Sequence, residues 1–235
     1  MDETVLNSLK ANLGAIQGRI AAAAERAGRD QAAITLVAVT KSVDTEMARL
    51  LIEAGARHLG ENRVQEGEKK RRDLGDRCEW HMIGHLQTNK VKKTLGVFNM
   101  IHAVDSERLL REISRRADAD GLRPGVLLEV NVSGEESKYG LRPADVEGLV
   151  SLAGELPAVE LRGLMTMAPW NPDPETARPV FRELAAIHRS LKESGRAGPR
   201  FDSLSMGMSG DFEPAVEEGA THVRVGTALF AGIER

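Results

Sequence analysis

The sequence predicts a single (β/α)8 barrel with an additional N-terminal helix, one domain over residues 1–235. Two observations carry this. Eight short apolar runs, each a strand candidate, alternate with helical patterns, and no low-complexity linker separates them. The chain has 235 residues, close to the usual size of one such barrel. A doubly wound open sheet is the alternative, but no G-x-G-x-x-G follows the first strand, so the usual dinucleotide fingerprint is missing.

The elements follow in order. Leu6, Leu9, Leu13, Ile16 and Ile20 recur at helical spacing, and Gly28 ends this leading helix. Ile34–Lys41 is apolar, largely β-branched and stops in a lysine, as a strand buried on both faces does. Ser42–Gly55 reads as a helix, capped within Val43-Asp44-Thr45. His58–Asn62 is the second strand and Glu61–Leu74 a charged helix. Its basic run Lys69–Arg72 lies beside Glu66 and Glu68 and reads as a solvated face. Glu79–Gly84 and Met100–Asp105 are the third and fourth strands, with a short helix opening at Leu86–Lys90 between them. Ser106 caps a helix through Ala119. Gly125–Val132 is the fifth strand and Pro143–Gly154 its helix. Glu160–Met167 is the sixth, followed by a Pro-rich loop and a long helix to Ser194. Phe201–Gly207 is the seventh, Gly210–Glu218 its helix, and His222–Phe230 the eighth.

Composition narrows the function classes. A net charge of −3 steers the surface neither to nucleic acid nor to anionic lipid. One cysteine, Cys78, excludes an intramolecular disulfide and suits a reducing compartment. No apolar stretch approaches the roughly 18 residues that a membrane span needs, and Asp2 and Glu3 do not suit a signal peptide. A cytoplasmic monomer is expected.

Lys41 ends the first strand where α/β barrels place their chemistry. Partial desolvation there would lower its pKa and free the amine to attack a carbonyl; a strand-end lysine reaching for water is the other reading. Alternation on the fifth strand puts Val126, Leu128, Val130 and Val132 toward the helices and Leu127, Glu129 and Asn131 inward. On the eighth, Arg224 points inward beside Val223 and Val225. Arg224 then either pairs with Glu129 or meets a ligand. Ser209-Gly210 at a helix start and Gly226-Thr227 after the eighth strand occupy the loops where barrels hold phosphate; capping by Ser209 would explain the first pair without a ligand. His58, His81, His85 and His102 lack a paired metal-ligand spacing, so no metal is expected. A Schiff-base lysine, a phosphate cup and a donor for a ring nitrogen together suggest pyridoxal phosphate. An arginine partner would leave that nitrogen unprotonated and the ring a weaker electron sink.

Seven motifs extend across nearly the whole chain: Val37–Ser42, Gly60–Glu66, Trp80–Lys90, Ser137–Leu141, Gly163–Met167, Leu204–Ser209 and Val223–Thr227. Through them the sequence resembles the YggS/PROSC family of pyridoxal phosphate homeostasis proteins. The resemblance implies the barrel of the alanine racemase N-terminal domain, with Lys41 carrying the aldimine and Arg224 facing the ring nitrogen. It implies that Ser205, Ser209, Gly210, Gly226 and Thr227 hold the phosphate, and that Asn62 and Met165 line the ring. It also implies a protein that binds and balances the cofactor, with apo-enzymes as recipients. The eighth strand is expected to end close to Arg235, which leaves no second domain to supply a catalytic tyrosine. The sole tyrosine, Tyr139, lies in the loop after the fifth strand. A racemase-like enzyme is the main alternative, and a cofactor-free Schiff-base aldolase a third.

Overall fold

Eight parallel strands close into a barrel in sequence order, with β8 returning to pair with β1. The computed structural model describes residues 2–135 and 138–233. The strands are β1 Thr35–Val39, β2 His58–Glu61, β3 Glu79–Met82, β4 Met100–Val104, β5 Gly125–Glu129, β6 Glu160–Met165, β7 Ser203–Met208 and β8 His222–Val225. The helices are α1 Asp2–Arg26, α2 Thr45–Glu53, α3 Val64–Leu74, α4 Val91–Leu95, α5 Glu107–Ala119, α6 Val146–Gly154, α7 Arg178–Glu193 and α8 Phe212–Glu217. Among the described residues, no helix is long and apolar enough to cross a membrane.

The leading helix exists because one face is apolar. Leu9, Leu13, Ile16, Ile20, Ala23 and Ala24 are buried, and that face packs on α2, α8 and the turn at 227–230. Asp44 caps α2 by accepting from the Met47 N–H, and Ser106 caps α5 by accepting from the Leu109 N–H. The strand faces follow the alternation. Val126 and Leu128 join the main core between strands and helices, while Leu127 packs with Ala103 and Met165 in a small cluster inside the barrel.

Most strands stop short of the expected length at the carboxyl-terminal mouth. The chain leaves the ladder there to enter its loops, and apolar sequence alone does not mark that exit. Strand eight is the largest correction: Thr227–Phe230 is a 3-10 turn. Its apolar residues Leu229 and Phe230 are buried under α1, and Asn12 Nδ2 donates to the Leu229 and Ala231 carbonyls.

Lys70 is also corrected. It is buried, not part of a solvated face, because Val64, Gly67, Lys70 and Leu74 share the inner side of α3. Its ammonium reaches Glu61 Oε1 at 2.6 Å and the Thr40 carbonyl at 2.7 Å.

Candidate functional site

The groups singled out from the sequence gather at one mouth of the barrel. Lys41 lies in the turn just after β1. Its side chain is exposed, so the expected partial desolvation is not found: the chain has already left the sheet at Thr40, and the lysine begins in open solvent. The residue before it is fixed firmly. Thr40 donates its hydroxyl to Glu61 Oε1 at 2.6 Å, and its carbonyl accepts from Lys70. Asn62 follows β2, half-buried, with Gly84 against it. A Cβ on Gly84 would stand 2.7 Å from the Asn62 carbonyl oxygen, so only glycine permits this approach.

Arg224 does point inward. It is 4% exposed, and burial pushes it down to about 10, so it stays charged at neutral pH. Its guanidinium donates to Ser205 Oγ at 2.5 Å and to the Thr166 carbonyl at 2.9 Å. Among the described residues no carboxylate lies within 4.0 Å of it, so the mutual pairing with Glu129 is not formed. Glu129 is buried as well. Desolvation, with Asp105 nearby, pushes its carboxyl up to about 7, and Arg224 only partly opposes this. Asn131 spends its side chain on the following loop, where its Oδ1 accepts from the Gly134 N–H and its Nδ2 donates to the Glu135 carbonyl.

The loops after β7 and β8 meet. Gly226 N–H donates to Ser209 Oγ at 3.1 Å. Ser209 therefore does not cap α8; Asp211 stands at that cap position and turns its Oδ1 back to the Met208 N–H at 2.5 Å. Gly207 has a φ of +89°, and a Cβ there would lie 2.5 Å from the Ala215 Cβ, so a glycine lets α8 close onto β7. Gly226 also sits against Val39, two residues before Lys41. Gly210 and Thr227 are exposed at this mouth. Met165 ends β6, buried, in register with Ser205 and Glu129.

Ser205 departs from the group. It lies inside β7, fully buried, and its hydroxyl joins His102 Nδ1 and Arg224. Ser137, from one of the seven motifs, and Arg235 lie outside the described residues.

Sequence reasoning missed two clusters. One is the Lys70–Glu61–Thr40 junction; the spacing of Lys70 from Val64, Gly67 and Leu74 signals its inner face. The other is at the mouth, where Tyr139 stacks on His85 with centroids 3.9 Å apart and His85 Nδ1 lies 3.0 Å from Asp105 Oδ2. Nothing local signals that contact, which joins loops after β3, β4 and β5.

Residues 11–233 match the family described as alanine racemase, N-terminal domain. The chain is 46% identical over 220 residues to the pyridoxal phosphate homeostasis protein of Aquifex aeolicus, covering 93% of this chain and 95% of that one. It is 38% identical over 231 residues to the protein of that name from Escherichia coli K12, covering 96% and 97%. Among solved structures, PipY of Synechococcus elongatus with PLP bound superposes with a TM-score of 0.81 at 32% identity, covering 95% of this chain and 100% of that one. An alanine racemase of Clostridium difficile shares the fold, with a TM-score of 0.76 at 16% identity, over 97% of this chain and 58% of that one.

Proposed function

The chain belongs to the YggS/PROSC family of pyridoxal phosphate homeostasis proteins, and from that membership we propose that it holds pyridoxal 5'-phosphate at the mouth described above and buffers or delivers it without catalytic turnover. The observation that carries this reading is Arg224, a buried cation held by two neutral acceptors with no ion-pair partner among the described residues. A guanidinium has five N–H donors, so donors remain for a ring nitrogen above it. A donor that is always charged leaves that nitrogen unprotonated.

The remaining residues fit the group. When bound, the cofactor supplies an aldehyde open to an amine and a ring that withdraws electrons. Lys41 would provide the amine. It follows Val37, the register partner of Arg224, by four residues. At about 3.3 Å per strand residue, its backbone starts up to about 13 Å above the arginine, room for one ring and a lysine side chain. Ser209, Gly210, Gly226 and Thr227 would take the phosphate through hydroxyl and backbone N–H groups. Asn62 and Met165 would flank the ring. Ser205, buried with its hydroxyl on Arg224, would act through that arginine. The open, solvent-exposed Lys41 suits transfer, since an incoming amine can reach the attachment point. The same reading has the chain work as a single-domain cytoplasmic monomer that passes cofactor to apo-enzymes.

The racemase-like alternative draws on Glu129, a buried carboxyl held near 7 beside Arg224. Racemisation needs an acid/base group on each face of the ring, and Tyr139 is stacked on His85.

Borohydride reduction of the loaded protein followed by peptide mapping tests the site. Cofactor mass on the Lys41 peptide is expected; label confined to Lys138 or to any lysine other than Lys41 would sink the assignment.

A further inference from the structure

Beneath Arg224 the barrel is filled with imidazoles. His58 on β2, His81 on β3 and His102 on β4 stand on successive strands. His58 Nδ1 lies 3.1 Å from His81 Nε2, and His81 Nδ1 lies 2.9 Å from His102 Nε2. His102 Nδ1 lies 2.9 Å from Ser205 Oγ, the atom that accepts from Arg224. His222 on β8 flanks the row, its ring centroid 6.2 Å from His81 and 5.9 Å from His102. The row ends at a cavity of about 700 Å³ on the opposite mouth, lined by His58, His81 and His222.

Donor counting places the protons. Arg224 can only donate, so Ser205 Oγ accepts from it. The Ser205 hydroxyl proton needs an acceptor of its own, and among the described residues only His102 Nδ1 lies within hydrogen-bond distance. A neutral imidazole that accepts at Nδ1 carries its proton on Nε2. His102 therefore donates from Nε2 to His81 Nδ1. By the same step His81 donates to His58 Nδ1, and the His58 Nε2–H is left at the cavity end. The reverse order strands the hydroxyl proton in a buried place without an acceptor. The imidazoles are neutral, as burial drives His81 and His102 well below the ordinary histidine range and lowers His58. Arg224 opposes a second charge on His102.

We infer that this row is a tautomeric brace. It commits the Ser205 proton to His102, leaves the Ser205 lone pairs to Arg224, and makes His102, His81 and His58 positioning residues for the guanidinium that meets the cofactor ring. The last step rests on the proposed function, because it needs the ring nitrogen on Arg224.

The test uses the full chain loaded with pyridoxal phosphate labelled with 15N at the pyridine nitrogen. In His102→Leu and Ser205→Ala the pyridine resonance shifts, because Arg224 loses its braced acceptor. In His102→Asn it returns toward the wild-type position, since the amide oxygen replaces Nδ1 as acceptor. An unmoved resonance in loaded His102→Leu and Ser205→Ala overturns the brace. A second measurement needs no variant: side-chain 15N spectra of the wild-type protein show His58, His81 and His102 all protonated on Nε2. A proton on His102 Nδ1 overturns the inference whatever the variants do. A wild-type protein that takes up no pyridoxal phosphate sinks the functional reading, while the tautomer spectrum still decides the row.

Discussion

Lys70 and Glu61 form an ion pair at 2.6 Å with side chains only 2% and 0% exposed, and both bond Thr40, the residue before the candidate attachment lysine. Lys70 also holds the Thr40 carbonyl, and Thr40 holds Glu61, so three elements are tied at the point where Lys41 leaves β1. Removing one partner leaves a buried charge unpaired, at a cost of about 3–5 kcal/mol. Lys70→Met should lower the urea midpoint accordingly and slow cofactor attachment at Lys41. The double variant Lys70→Met/Glu61→Leu should recover much of the loss. A single variant as stable as the wild type would remove the pair from the account.

The proposed phosphate cup gives a charge-specific prediction. Ser209 Oγ already meets the Gly226 N–H, so Ser209→Asp sets a carboxylate at the junction of the two loops. Two like charges about 4 Å apart repel by about 4 kcal/mol at an effective dielectric of 20. Binding of pyridoxal phosphate should fall at least tenfold, with binding of pyridoxal changed little. Titration of both ligands decides it; equal losses would place the phosphate elsewhere.

Glu129 makes stability depend on pH. Desolvation raises its folded-state pKa to about 7, above the 4.5 of an unburied glutamate. The folded chain therefore binds the proton more tightly. This contribution is fully present below about pH 4.5 and is lost as pH rises through about 7. The difference amounts to about 3 kcal/mol. Glu129→Gln should gain stability over the wild type at pH 8 relative to pH 5, by denaturant unfolding at both. A pH-independent difference would show that the carboxyl is already ionised when folded.

Absence of turnover is checked by exchange. Loaded protein incubated with single-enantiomer amino acids in deuterated water should show no Lys41-dependent deuterium at Cα at an enzymatic rate of roughly 1 per second or faster. Cofactor should still pass to an apo-enzyme. Rapid exchange that disappears in Glu129→Gln would turn the reading to the racemase-like alternative.

By itself, the sequence determined the alternation of strands and helices, the inward Arg224, a lysine at the carboxyl end of the first strand and the paired loops after β7 and β8. Each of these is written in local periodicity or in turn residues, which act within a few positions along the chain. Tertiary structure alone decided what those groups touch. His102 and Ser205 stand 103 positions apart, and their contact exists only because the closed barrel sends both side chains into one interior. Closure likewise sets Val37 beside Arg224 through the β1–β8 pairing. Whether Lys70 met water or Glu61, and whether the Ser205 hydroxyl met solvent or Arg224, depended on which side of a packed element each faced. A lone polar residue in an apolar pattern becomes legible only when burial forces it to find its partner.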